Sequence, residues 1–505
     1  MPGGGPGPVG ETIGDAAAEP AFSRGWRWGR VGEAAVGSLR YSLIMTCLAL
    51  SFRRAAPVAL SLALMSACGS SGSRAVNDET GSNETQSDVE GSAETSADTS
   101  ADEGSADEGS TTTGGGYVGD GVDILVVIDN SRTMGFRQGP ITEGIKAMVQ
   151  ALEAQGINHR LAFTTTDVGN PFCQPSTAVR GQFQFESCTE RPGEFASADG
   201  TINLYGDLCE SACELSDDGF GKSGEEPWLE SIEKTTNVGV PLADAIDCLA
   251  PQGVNGCGFE SPLEAMYMAL TRAEDPTMPE FGFLRSNANL LVILATDEAD
   301  CSANPDFNTI FDGDGNRVFW SDPAFGYATS AVCWNAGTRC VDAAGGSLDC
   351  VPEDHDVDGN PGAAPDDAVM YPVPRYVDKI EAIRAQKREL DPSLRVGVLL
   401  LAGYDENGGL SYAPSLDEDF ARNFGIAPAC RAEIPGIVPC VDDGDCFFSV
   451  GTCGANGFCE EFVSGIPPVR LHEFVGVGDV QVTASICETD FAGDFVEAAL
   501  GISME

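Results

Sequence analysis

Three residues at alternate positions, Asp129, Ser131 and Thr133, follow directly on the apolar run Ile124 to Ile128. One carboxylate and two hydroxyls on a single tight loop supply hard oxygen donors. Such donors suit a small divalent cation, above all Mg²⁺, with Mn²⁺ or Ca²⁺ as substitutes. The same residue types also cap helices, so the loop alone leaves both roles open. A second apolar run, Asn289 to Ala295, leads into Thr296-Asp297-Glu298. Between the two lies Gly256-Cys257-Gly258-Phe259-Glu260-Ser261-Pro262-Leu263, a Gly-rich loop with oxygen donors at Glu260 and Ser261. In open α/β sheets, ligands bind outside the carboxyl ends of the strands. If the two apolar runs are neighbouring strands, Asp129 and Asp297 face one crevice.

The elements that must position these residues are legible as periodicity. Short, continuous apolar runs rich in β-branched residues read as buried parallel strands. This predicts strands at 122–128, 159–166, 289–295, 394–402 and 480–486. Helical spacing predicts helices at 141–152, 236–249, 262–272, 373–385 and 491–500. Alternation of the two predicts a three-layer α/β domain with a mostly parallel sheet, starting at about Val122. Three long excursions, at about 168–236, 300–365 and 405–465, interrupt it and carry most of the cysteines. The third holds five Cys within thirty residues, an odd number, so at least one must pair outside it; Cys487 is one candidate.

The chain has a formal net charge of -50, which disfavours nucleic acid and anionic lipid headgroups as partners. Its three scattered His argue against His-rich metal sites and His-dependent triads. Eighteen Cys points to an oxidising compartment. Residues 1–44 resemble no targeting signal, and the reading places initiation at Met45. From there, Arg53-Arg54 and the apolar stretch Ala55 to Ala67 have the make-up of a signal peptide spanning 45–67. Leu64-Met65-Ser66-Ala67-Cys68-Gly69 resembles a bacterial lipobox, with Met65 departing from the more usual Leu. That resemblance implies cleavage before Cys68, lipidation of that residue, and sorting to the outer membrane. An ordinary secretory signal is the alternative. Residues 68–121 are rich in Ser, Thr, Gly and carboxylates and cannot bury enough apolar surface to fold, so an acidic tether is expected.

An apolar strand into DxSxT, an oxygen-bearing Gly-rich loop, and a second apolar strand into Thr-Asp, in that order, resemble the von Willebrand factor type A domain. The resemblance covers the core elements and not the excursions. It implies a Rossmann-like fold with a metal-ion-dependent adhesion site in a bacterial lipoprotein. Its first loop maps to Asp129, Ser131 and Thr133, and its last Asp to Asp297. The family's central Thr has no clear match: Ser261 fits by spacing, and Glu260 is the stronger donor. The resemblance further implies a divalent ion with a coordination position open to an acidic side chain of a protein partner, and no enzymatic activity. Excursions of this size can alter or block that mode of binding.

Two other readings stand beside this one. A structural envelope protein would carry the same loops as a degenerate, metal-free site. An apolar strand into DxDx[TV] marks haloacid-dehalogenase-like phosphotransferases, but Ser131 stands where their general acid is needed. Asp354-His355-Asp356-Val357-Asp358-Gly359 matches half of a Ca²⁺ loop, yet Pro365 occupies the position that requires Glu. Asp312-Gly313-Asp314-Gly315-Asn316 is a weaker match. Both are expected to be acidic surface loops.

Overall fold

The apolar run at the start of the domain forms β1 (Val122–Ile128), buried along its whole length. The computed structural model describes residues 119–173, 178–197, 203–434, 440, 453–454, 457 and 461–504. The leader with Met45 and Cys68, the tether up to residue 118, and Cys446 and Cys459 lie outside the described residues. After β1 come α1 (Gly135–Gln155) and β2 (His159–Thr165). The first excursion ends in a short hairpin, β3 (Leu229–Ile232) and β4 (Thr235–Thr236). Next follow α2 (Leu242–Leu249), α3 (Pro262–Glu274) and β5 (Asn289–Ala295). The second excursion holds α4 (Ala331–Gly337) and the hairpin β6 (Thr338–Asp342) and β7 (Leu348–Pro352); α5 (Val373–Leu390) and β8 (Val396–Ala402) return to the sheet. The third holds α6 (Glu418–Phe424), β9 (Cys430–Ile434) and β10 (Glu461–Gly465). The core then closes with α7 (Val469–Val475), β11 (Val480–Ser485) and α8 (Ala492–Ser503).

The seven-stranded sheet runs β11-β8-β5-β1-β2-β3-β4. β11, β8, β5, β1 and β2 are mutually parallel, and β3 and β4 form an antiparallel edge. Without two-residue β4, the chain order of the strands reads 3-2-1-4-5-6, the doubly wound arrangement whose switch point lies between its first and fourth strands. Here those strands are β1 and β5. Register sets their ends level: Ile128 pairs with Thr165 on one side and with Ala295 on the other. Asp129, Thr166 and Thr296 therefore leave the sheet side by side.

Alternate side chains of β1 enter opposite cores, which makes three layers. Ile124, Val126 and Ile128 pack with Ile141, Ile145 and Met148 of α1 and Phe495 of α8. Leu125 and Val127 pack with Leu263 and Met266 of α3 and Tyr376 and Ile380 of α5. Helices α1 and α8 meet at Gly144, where an added Cβ would lie 2.6 Å from the Phe495 ring. At the far end of β1, fully buried Asp123 accepts from the Arg285 backbone and guanidinium, both at 2.7 Å, with the Lys387 ammonium 3.9 Å away.

Several helices run on past the expected end, α5 to Leu390 rather than 385, and the starts of two differ most from the sequence expectation. α1 begins at Gly135 rather than Ile141, running through Pro140. The 3₁₀ turn Arg132–Met134 leads straight into it, and the fixed φ of Pro suits a helix, so Pro140 removes one donor without ending the element. α2 begins at Leu242 rather than at 236, because Pro241 takes the cap position with extended backbone. Thr235–Thr236 instead forms the edge strand β4.

Every described cysteine is in a disulfide: Cys173–Cys257, Cys188–Cys209, Cys213–Cys248, Cys301–Cys333, Cys340–Cys350, Cys430–Cys487 and Cys440–Cys453. Cys430 thus pairs outside the third excursion, with Cys487 after β11. Such a framework fits an oxidising, extracytoplasmic or envelope setting. Among the described residues no helix is long and apolar enough to cross a membrane.

Candidate metal centre

Asp129, the first residue beyond β1, is fully buried and holds the DxSxT loop on itself. Its Oδ1 accepts from Ser131 N at 2.7 Å and its Oδ2 from Thr296 Oγ1 at 2.6 Å. Ser131 Oγ lies 3.2 Å from Thr133 Oγ1, and Thr133 Oγ1 donates to Asp297 Oδ1 at 3.1 Å. The two strand-end aspartates are therefore joined through the Ser131 N–H and the Ser131 and Thr133 hydroxyls at the switch point.

The Gly-rich loop reaches the same place from the β2 side. Gly256 N donates to Asn130 O at 2.9 Å, and a Cβ at Gly256 would lie 2.3 Å from Asn130 Oδ1, so only Gly permits this approach. Cys257 N donates to Asp167 Oδ2 at 3.2 Å. Gln138 of α1 supports the segment just before: its amide bonds Gly253 O and Asp129 O and accepts from Gln252 N and Gly253 N. Glu260 is fully buried; its Oε2 accepts from Thr166 Oγ1, and its Oε1 is buried without a hydrogen-bond partner. Ser261 directs its hydroxyl to the carbonyls of Cys301 at 2.7 Å and Phe259 at 3.2 Å. Of the two loop candidates, Glu260 is the one that shares a field with Asp129.

Burial and mutual repulsion govern the charges. Burial pushes the Asp129 carboxyl up, against the hydrogen bonds from Thr296 and Ser131. Burial and then the Asp129 charge push Asp297 up to about 8, with Thr133 and Arg137 opposing. Glu260 is raised well above the carboxylate range by burial, then by Asp129 and Glu298; Glu298 is raised likewise by burial, then by Asp297 and Asp129. Arg137, buried on α1, supplies an opposing positive charge. A buried carboxylate oxygen without a donor, facing other carboxylates, is costly unless a proton or a cation compensates it. An all-oxygen set of carboxylates and hydroxyls fits a hard divalent ion. No three His, Cys, Asp or Glu among the described residues are gathered as a ready metal cage. Asp129, Glu260 and Asp297 are thus not drawn around one point, and the donors joined to one another are Asp129, Ser131, Thr133 and Asp297.

The structure brings Asp129, Ser131, Thr133 and Asp297 into one hydrogen-bonded chain, with Glu260 against it. Sequence reasoning missed Asp167, Glu298, Thr166 and Arg137. Asp167 was accessible to the rule that found the other two acids, since it too follows a buried strand. The half Ca²⁺ loop is closed on itself: Asp356 Oδ1 accepts from Asp358 N at 3.0 Å and Asn360 N at 2.9 Å. Asp312 likewise accepts from Asp314 N at 2.9 Å. Both are acidic turns held by their own backbone.

No protein-family model matches the chain, and no curated protein matches it. Among solved structures, similarity extends to two crystal structures of the pilus adhesin SpaC from Lactobacillus rhamnosus GG, one of them in an open conformation. In each, identity is 13%, the match covers 57% of this chain and 25% of the adhesin, and the TM-score is 0.23. The chain thus spans a quarter of the length of that relative, and at this level of likeness its architecture is read from its own sheet.

Proposed function

We propose that this chain is a lipid-anchored protein of the bacterial cell envelope whose von Willebrand A-like domain holds a divalent cation and binds a protein partner. The cation is Mg²⁺, or Mn²⁺ or Ca²⁺ in its place, and the residues that would hold it are Asp129, Ser131, Thr133, Glu260 and Asp297. The observation that carries the reading is the convergence of Asp129 and Asp297 at the sheet's switch point, linked through Ser131 and Thr133, with an uncommitted buried oxygen on Glu260 of the neighbouring loop. The 3-2-1-4-5-6 strand order supports the family resemblance, and the disulfides support the extracytoplasmic setting. When bound, the ion supplies positive charge to a crevice of buried acids; the chain's own hydroxyls orient those acids toward it.

Titration calorimetry with Mg²⁺ and Mn²⁺ tests the cation, with binding expected for the wild type and lost in Asp129→Ala. Equal heats would favour a structural envelope protein with a metal-free site. That second reading draws on the Asp129 carboxylate, both of whose oxygens already have donors. Turnover of a generic phosphomonoester would instead revive the phosphotransferase reading. Mass spectrometry of the mature N-terminus tests the anchor: a diacylated or triacylated Cys68 is expected, and an unmodified one ends that part of the proposal.

A further inference from the structure

The two ends of the Gly-rich loop are held in different ways. At Glu260 and Ser261 the hold is hydrogen bonding: Ser261 N donates to Thr166 O at 3.1 Å, and Cys301 N donates to Glu260 O at 2.6 Å. At Gly256-Cys257-Gly258 the hold is covalent. Cys257 is bonded to Cys173 of the first excursion, 84 residues earlier in the chain. Of the seven disulfides, this one alone has an end in the Gly-rich loop. The flanking glycines give the segment many backbone conformations to lose, and a crosslink closing a long loop removes many of them.

The crosslinked end is also the end that touches the DxSxT turn. Gly256 N donates to Asn130 O at 2.9 Å, and Asn130 stands between Asp129 and Ser131. The buried Asp167 carboxylate spans the two sides of the crosslink. Its Oδ1 accepts from Gly169 N at 2.8 Å, on the Cys173 side, and its Oδ2 accepts from Cys257 N. Ser330, at the start of α4, donates to Gly258 O at 3.0 Å. Solvent reaches the disulfide from one side: Cys173 is half-buried beside Phe172, which is 41% exposed, whereas Cys257 is 2% exposed.

Resting on the cation reading, we infer that the centre is redox-conditional. The Cys173–Cys257 bond sets the Gly-rich loop against the DxSxT turn, and its reduction by a dithiol weakens the hold on the cation. One thiolate of the dithiol attacks the Cys173 sulfur, the S–S bond breaks, and Cys257 leaves as a thiolate. The second thiol then displaces Cys173 from the mixed disulfide. The dithiol is oxidised to a disulfide, and the protein takes up two electrons and two protons as two thiols. The opened loop keeps only its hydrogen bonds to Asn130 and Asp167, so the turn must be ordered again each time an ion is captured.

Water-proton relaxation titrations of the full chain with Mn²⁺ test this. The double variant Cys173→Ser, Cys257→Ser is expected to bind Mn²⁺ roughly tenfold or more weakly than the wild type. The control Cys340→Ser, Cys350→Ser, which opens the β6–β7 hairpin, is expected to keep wild-type affinity. Partial dithiol reduction of the wild type, with peptide mapping, guards against a variant that merely misfolds. Bound Mn²⁺ is expected to fall with the fraction of Cys173–Cys257 opened and to return on reoxidation. Wild-type affinity in the Cys173/Cys257 variant would overturn the inference, as would an equal loss in the control or Mn²⁺ retained after this bond is opened. Absence of Mn²⁺ binding by the oxidised wild type would overturn the cation reading and this inference with it, and is distinct from those outcomes.

Discussion

Without divalent cations, this protein should lose stability as the pH rises through neutrality, the reverse of ordinary acid denaturation. In the unfolded chain Asp and Glu ionise near pH 4. In the folded chain burial and the Asp129 charge hold the Asp297 proton up to about pH 8, and Glu260 and Glu298 shift in the same direction. Each raised carboxyl stabilises the fold fully below its unfolded pKa, and that contribution is lost as the pH rises through the folded value. Between pH 6.5 and 7.5 the folded state binds more protons than the unfolded one, so stability falls by about 1.4 kcal/mol per pH unit per retained proton. For Asp297 the fall is about 1.4 kcal/mol, and Glu260 and Glu298, also raised by burial, act in the same direction. For the roughly 355 described residues, an unfolding entropy near 2 cal/mol/K per residue converts the Asp297 share to a Tm drop of about 2 °C. Two imidazoles oppose the fall: His159 and His472 are lowered by burial while their unfolded counterparts titrate near pH 6.5, so each raises stability by up to roughly 0.3 kcal/mol across the interval. Lys387, lowered to about 8, keeps most of its proton within it. Melts followed by near-ultraviolet circular dichroism in EDTA at pH 6.5, 7.0 and 7.5 read the slope, and saturating Mg²⁺ should abolish it. A Tm that is flat or rising in EDTA would mean the acids are ionised and solvated, and would refute their burial as neutral groups.

Three further outcomes are expected. Asp123→Asn leaves Arg285 and Lys387 buried without their counter-charge and should destabilise the fold by about 3 to 5 kcal/mol in urea unfolding. Gly144→Ala forces α1 from α8 at Phe495 and should cost about 1 to 3 kcal/mol by the same assay; a neutral result would mean the helix contact is looser than drawn. Non-reducing peptide mapping should recover Cys430 linked to Cys487. The double variant Cys430→Ser, Cys487→Ser should then lose about 4 kcal/mol, as expected for opening a loop of 57 residues.

The strands legible in the sequence were those buried on both faces. β1 and β5 each present an apolar run that needs no partner to be recognised, and β5 spans the expected Asn289–Ala295. The hairpins were not legible. β6 and β7 are short and largely exposed, and Cys340–Cys350 joins them across the register, a pairing that spacing does not encode. α7 was also missed, because it is a seven-residue helix beside Gly- and Pro-rich segments. At the site, Asp129 and Asp297 were legible because strand polarity fixes where a terminal acid must sit. Choosing between Glu260 and Ser261 required coordinates, since both belong to one loop and only hydrogen bonds separate their roles. Ser330 carries no local signal; its place above Gly258 is set by the packing of the second excursion.

The acids at the β1–β5 switch point are expected to hold a divalent ion. Calorimetric titration of the full chain with Mn²⁺ at pH 7.5, beside Asp129→Ala, tests it most directly. Saturable binding near one ion per chain is expected in the wild type and none in the variant. Identical titrations for the two proteins would contradict it.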